Sequence, residues 1–280
     1  MNDETSLMPA GRGELATAAG AVNSLVARGL GELIPKLSLA ASALKDYDAK
    51  FYYNRGQRWL EKQHYDEAIA DFTEAIRLDP SDRNHFFARA NAWSWKVNHD
   101  NAIKDFDEVI RLDPNYCEAY AARARAWFRK RDYDKAISDF GEALRLSPTT
   151  VNYLIDRGFT WAMRKEYDKA NMDYTAAVSR SPRWASRRIA WVLATCPHEQ
   201  VRDGILALQL ARMACDLTDW KAGQELDTLA AAFAEAGQFD EAVRYQTNAL
   251  EDPICRGPAG DAFRRRLELY KQRKAFRECT

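Results

Sequence analysis

The chain of 280 residues has no run of about 18 consecutive apolar residues, the length a membrane-crossing helix needs, so no spanning segment is expected. Its opening, Asn2-Asp3-Glu4, lacks the basic stretch and apolar core of a secretory leader, and the expected location is the cytoplasm. Excess charge is also missing. Lys plus Arg is 41 and Asp plus Glu is 41, so the net charge is zero and no global field draws in nucleic acid. There is no Gly-rich phosphate loop, Gly-x-Ser-x-Gly elbow, His-Glu-x-x-His helix or calcium loop. The five cysteines, Cys117, Cys196, Cys215, Cys255 and Cys279, include no Cys-x-x-Cys, and their odd number fits a reducing compartment better than a disulfide framework. Cys196 and His198 flank Pro197 and could join Cys215 or Cys255 around a metal, or act as nucleophile and base. Neither paired metal-ligand spacing nor an orienting carboxylate accompanies them. No enzyme activity, cofactor or metal is expected.

What is present is periodic. Pro80, Pro114, Pro148 and Pro182 are spaced 34 residues apart and close blocks 49–82, 83–116, 117–150 and 151–184. Within the blocks the residue types match by column. An aromatic or Leu (Tyr52, Phe86, Tyr120, Leu154) precedes Arg (Arg55, Arg89, Arg123, Arg157), a small residue (Gly56, Ala90, Ala124, Gly158) and Trp (Trp59, Trp93, Trp127, Trp161). The second half of each block brings Ala68, Ala102, Ala136 and Ala170, then Phe72, Phe106, Phe140 and Tyr174, then Ala75, Val109, Ala143 and Ala177. Steps of three and four residues put these side chains on one face of a helix, and each block therefore reads as two helices. A single hairpin leaves most of its apolar face exposed, so neighbouring hairpins must stack to bury it. The fold expected is all-α, an α-solenoid of stacked helix-turn-helix hairpins.

These columns resemble the tetratricopeptide repeat, a 34-residue helix-turn-helix with small, aromatic, Ala, aromatic and Pro positions at set offsets. Residues 223–253 carry Leu226, Ala230, Phe233, Gly237, Phe239, Ala242 and Ala249 at the same offsets, with Pro253 one residue early and Gln246 replacing the aromatic. They read as a further repeat. Residues 185–222 read as a degenerate one, with a first helix through Ala190-Trp191-Val192-Leu193-Ala194, a loop at 196–200 and a second helix over 202–217. The runs at 193–197, 202–204, 214–218 and 226–230 are similar to a C-terminal module of bacterial tetratricopeptide proteins, notably of planctomycete-like lineages.

The turns agree with one departure. Each Pro stops its second helix, and Ser81, Asn115 or Thr149 is placed to cap the next. Asp66, Asp100, Asp134 and Asp168 fall in first turns, where the helix dipole favours negative charge. The family often has Gly inside the hairpin, but Gln63, Val97, Arg131 and Lys165 stand there; a positive φ at those places carries strain. Arg55 with Asp71, Arg89 with Asp105, Arg123 with Asp139 and Arg157 with Asp173 repeat once per block, as structural ion pairs do and a catalytic group does not.

The ends differ from the array. Residues 1–48 read as a polar start followed by one or two amphipathic helices within 14–44. These would cap the first hairpin, occupy the groove or a partner's groove, lie on a membrane surface, or be disordered. Residues 254–280 read as a last capping helix, basic through Arg264, Arg265, Arg266, Lys271, Arg273, Lys274 and Arg277. Phe263, Leu267, Tyr270 and Lys274 form its inner stripe.

The resemblance implies that first helices line a concave groove for an extended peptide or a helix. The groove columns hold Tyr53, Gln57 and Leu60, then Asn84, Phe87, Asn91 and Trp95, then Arg125, Phe128 and Arg129, then Asn152, Phe159 and Met163. Aromatic rings and Arg suit contact hot spots, and Asn can bond a ligand's main chain; Phe87, Phe159 and Met163 would equally pack against a neighbouring repeat. Chaperone adaptors of this family hold an acidic C-terminal tail with Lys, Asn, Asn, Lys and Arg. The matching places here are Tyr53, Gln57, Ala88, Glu118 and Ala122, so that ligand is not expected. The expected function is a protein-interaction scaffold. The alternative is an RNA- or DNA-binding module using Arg125, Arg129 and the last helix, with Trp95 and Phe128 as stacking platforms.

Overall fold

The computed structural model describes residues 48–257 and 260–278. The amphipathic segment proposed for 14–44 and Cys279 lie outside them. The fold is all-α, an α-solenoid of helical hairpins, with no strand among the described residues. Two compact units divide the chain after Val97.

The first unit contains α1 (Ala49–Glu61), α2 (Tyr65–Leu78) and α3 (Arg83–Trp95). Ala68, Ile69, Phe72, Ala88 and Ala92 form its core, edged by Tyr53, Trp59, Leu60 and Trp93. Gly56 permits the approach of α1 to α2: a Cβ there would lie 2.6 Å from the Phe72 ring.

The second unit holds α4 (His99–Leu112), α5 (Cys117–Arg129), α6 (Tyr133–Leu146), α7 (Val151–Met163), α8 (Tyr167–Arg180), α9 (Pro182–Thr195), a 3-10 turn Glu199–Val201, α10 (Gly204–Asp216), α11 (Gly223–Glu235), α12 (Phe239–Ala249), α13 (Pro253–Arg256) and α14 (Gly260–Lys271). One continuous core runs through it from Ala121 to Tyr270. Its hairpins are α5/α6, α7/α8, α9/α10 and α11/α12.

The hairpin turn explains the departure in sequence. In the first hairpin the Gln63 N–H bonds Leu60 O and the His64 N–H bonds Trp59 O, both at 2.9 Å. This pattern closes a helix with one left-handed residue. Gln63 (φ 62°), Arg131 (63°), Lys165 (66°) and Gly237 (76°) occupy that place in their hairpins, and Val97, at the same column, has φ 61°. Only Gly237 takes it without a steric penalty.

Three of the expected Arg–Asp pairs form within hairpins: Arg55 with Asp71 (2.6 Å), Arg123 with Asp139 (2.7 Å) and Arg157 with Asp173 (2.7 Å). Arg89 and Asp105 belong to different units. Each Asp is nearly buried and accepts two hydrogen bonds from its Arg, which compensates for taking the charge out of water. A second ladder links successive hairpins. Lys96 pairs with Asp66, Lys130 with Asp100, and Arg164 with Asp134 at 2.5 Å. The first-turn carboxylates thus serve a neighbouring repeat as well as their own helix end. The same cations lie over the Trp93, Trp127 and Trp161 rings, 5.7 to 5.8 Å from their centroids, so each of these half-buried tryptophans also meets a charge.

Several expectations are corrected. Asp82, not Ser81, caps α3, because the Asp79 carboxylate already holds the Ser81 hydroxyl and amide. Neither Asn115 nor Thr149 caps a helix; Tyr116 and Thr150 are the cap residues and make no side-chain cap bond. Pro182 ends α8 but also opens α9, with Ser181 shared between them, so α9 starts earlier than the repeat spacing dictates. Proline is tolerated there because a first-turn residue needs no amide hydrogen. The second helix after the loop starts at Gly204, capped by Asp203. The last helix stops at Lys271 and the chain reverses at Arg273, φ 56°, so Lys274 is not on its inner stripe.

Candidate functional site

In the first unit α1 presents Tyr53 and Gln57 one turn apart, and the Gln57 amide donates to the Tyr53 hydroxyl at 2.9 Å. The Tyr53 ring packs against Phe72 (5.8 Å) and His85 (5.5 Å), so part of it is used by the core. Leu60 joins that core as well. On α3, Asn84, Phe87, Asn91 and Trp95 follow at steps of three and four residues and share one face. Asn84 is exposed, Phe87 and Asn91 half-buried. Trp95 is 66% exposed, against the half-buried tryptophans of the packing column.

In the second unit the corresponding residues of α5 and α7 meet. Arg125 donates twice to Asp156, at 2.9 and 2.7 Å, and Arg188 of α9 approaches the same carboxylate at 3.9 Å. Phe128 lies 5.2 Å from Phe159 and 5.5 Å from Tyr133. Phe159 therefore does pack on its neighbouring repeat while remaining half-buried. Asn152 and Arg129 are exposed, and Met163 is half-buried beside Gln200. Burial, then the charge of Arg129, pushes the His99 imidazole below its ordinary value. Asp156 and Arg188 were not singled out from sequence. The signal for Asp156 was its offset of 31 residues from Arg125, one repeat minus about one helical turn, which also relates Phe128 to Phe159.

Most cations of the basic C-terminal segment 264–277 face the protein's own acids. Arg264 meets Asp261 at 2.6 Å, Lys271 meets Glu268 at 2.8 Å, Arg277 meets Glu235 at 2.6 Å, and Arg266 is buried on Asp227. Arg125 is likewise engaged. The cations invoked for a phosphate surface are thus mostly occupied.

Cys196 is buried, and no group of three metal-ligating side chains occurs among the described residues. Burial pushes the thiols of Cys215 and Cys255 up to about 12 and about 11, which disfavours the reactive thiolate. No helix of the described residues is long and apolar enough to cross a membrane.

The model of the tetratricopeptide repeat family matches residues 49–82 and 117–150. These two blocks match as tetratricopeptide repeats. Among solved structures the chain is similar to TTC0263, a thermophilic tetratricopeptide protein of Thermus thermophilus, at 17% identity over 80% of this chain and 99% of that one, with a TM-score of 0.50. It is also similar to the MamA RS-1 ArsTM double mutant, at 17% identity over 73% of this chain and 97% of the other, TM-score 0.50. At these identities the likeness speaks for the tetratricopeptide fold alone. No curated protein matches the chain.

Proposed function

We propose that the chain is a non-catalytic scaffold that binds a peptide segment or a partner protein along the first-helix faces of its tetratricopeptide hairpins. The contacts assigned are Tyr53, Gln57, Asn84, Phe87, Asn91 and Trp95 in the first unit and Arg125, Phe128, Arg129, Asn152 and Phe159 in the second. The observation that carries the reading is Trp95. A large ring 66% exposed at the end of an otherwise amide- and aromatic-bearing stripe is surplus to packing, and such rings are favoured where a partner is anchored. Asn84 and Asn91 on the same stripe can hydrogen-bond a main chain laid over it.

An acidic chaperone tail does not fit, since Tyr53, Gln57, Ala88, Glu118 and Ala122 stand where its carboxylates need cations and amides. Nothing in the arrangement favours nucleic acid, because Arg125 and most of the last helix's cations already face carboxylates. A bacterial, cytoplasmic setting accords with the C-terminal module's resemblance and with the free thiols of Cys117, Cys215 and Cys255. The test is affinity capture with wild type and an Asn91→Ala, Trp95→Ala chain of unchanged helicity. Loss of the captured partners in the variant supports the reading, and identical recovery rejects it.

A further inference from the structure

α9 ends at Thr195, and the last carbonyls of a helix have no partner within it. The chain's own segment 274–278 supplies one. After α14 the Arg273 N–H bonds Tyr270 O and the Lys274 N–H bonds Leu269 O, both at 2.9 Å, and the backbone turns back without further helix. The Glu278 N–H then donates to Thr195 O at 2.9 Å. One arm of the Arg277 guanidinium donates to Ala194 O at 3.2 Å, and the other meets the Glu235 carboxylate at 2.6 Å. In return the Trp191 indole N–H donates to the Glu278 carboxylate at 2.7 Å. The Phe276 ring lies 6.0 Å from Trp191.

Each receiving group is held by something other than the segment. Glu235 is fixed by Arg202 at 2.9 Å. Trp191 and Phe263 flank the guanidinium of Arg266, at 5.2 and 4.7 Å, and that guanidinium is locked by Asp227. Glu235 and Arg266 thus each have an ion-pair partner outside the segment, while Phe276 adds a further ring 5.4 Å from the Arg266 guanidinium. The segment adds no helix, Phe276 is half-buried, and Arg277 and Glu278 are exposed. Elements with so little buried area open at small free-energy cost. Main-chain bonds combined with pockets for particular side chains are how extended peptides are recognised.

We propose that Trp191, Glu235 and the carbonyls of Ala194 and Thr195 form a receptor for an extended peptide of aromatic-arginine-acid chemistry, with Phe276-Arg277-Glu278 as its resident, exchangeable occupant. The arginine is specific because one arm of a planar guanidinium donates to the Ala194 carbonyl while the other pairs by charge with the Glu235 carboxylate, which a lysine ammonium matches poorly. The site shares no residue with the Trp95 stripe, so it stands or falls apart from that assignment. A tethered occupant competes at an effective concentration near the millimolar range, so the intact chain should bind such a peptide weakly.

The test uses a fluorescent peptide of sequence Gln-Arg-Lys-Ala-Phe-Arg-Glu, that of residues 272–278, with the full chain and with its Phe276→Ala, Arg277→Ala variant. The variant should bind at least ~10-fold more tightly than wild type, and replacing Arg by Lys at the sixth place of the peptide should weaken it severalfold. Equal affinity of the two chains, or equal binding of a scrambled peptide, overturns the proposal. Should the variant lose helicity, hydrogen exchange on wild type decides. Millimolar peptide should speed exchange of the Glu278 amide at least ~5-fold by displacing the segment, and an unchanged rate overturns the proposal.

Discussion

The amide of Gln246 donates to the carboxylate of Asp227 at 2.7 Å, in the column where the four regular blocks place an aromatic ring. Both residues are buried, and the same carboxylate takes two bonds from Arg266 of α14, at 2.8 and 2.9 Å. The repeat thus departs from its pattern where its outer face receives a final helix through charge.

Removing one member of that pair leaves a buried charge without its counter-ion. Arg266→Met should lower stability by about 3–5 kcal/mol in a urea titration, and adding Asp227→Leu should recover much of it. Burial pushes the Asp227 carboxyl up and Arg266 pulls it back. In Arg266→Met the pull is gone and the folded chain holds a proton the unfolded chain has released. A raised carboxyl stabilises below the unfolded value near 3.9 and loses that contribution as pH rises through the folded value. The variant's deficit should therefore be smaller at pH 5 than at pH 7; a deficit independent of pH contradicts the assignment.

The left-handed turn residues give a test with opposite signs. A non-glycine residue there costs about 1–2 kcal/mol, partly offset by the entropy glycine loses on folding. Lys165→Gly should raise thermal stability by up to about 1 kcal/mol, and Val97→Gly by at least as much because its side chain is β-branched. Gly237→Ala should lower it, although a Cβ at Gly237 would meet nothing within 4 Å, so the effect isolates backbone strain. Differential scanning calorimetry reads all three.

Asp252 accepts from the Ile254 N–H (2.9 Å) at the start of α13 and from the Gly223 N–H (2.8 Å) at the start of α11. The Gly223 amide and then the Ile254 amide hold its carboxyl below the usual value. A depressed carboxyl stabilises above the unfolded value and loses that contribution as pH falls through the folded one. Asp252→Asn should therefore flatten part of the acid limb of the stability profile below about pH 4. An acid limb identical to wild type would exclude this link between the two helix starts.

Much of the array was legible because one period repeats every kind of constraint. The Trp, Ala and Arg columns, the Arg–Asp spacing of 16 and the non-glycine turn residues can be read from one block and checked in the next. The candidate site was legible in part. Its stripe on α3 followed from steps of three and four, but the engagement of Arg125 by Asp156 depends on how one first helix sits against another. The return of the last residues to α9 was not legible. It joins Trp191 to Glu278 across 87 positions, outside any repeat, and its cations read as the basic side of a capping helix until their acceptors are placed. The early start of α9 was hidden because Pro182 satisfies both roles, stopping one helix and opening the next.

Recognition by first-helix faces is tested most directly by site-specific photo-crosslinking in cells, with a benzophenone side chain at Trp95, at Asn152 or at Met172. Met172 is 73% exposed on α8, a second helix, and serves as the control surface. Crosslinked partner from positions 95 and 152, with little from 172, is the result expected. Partner captured mainly from 172, or none from 95 and 152 in a chain that still folds, would contradict it.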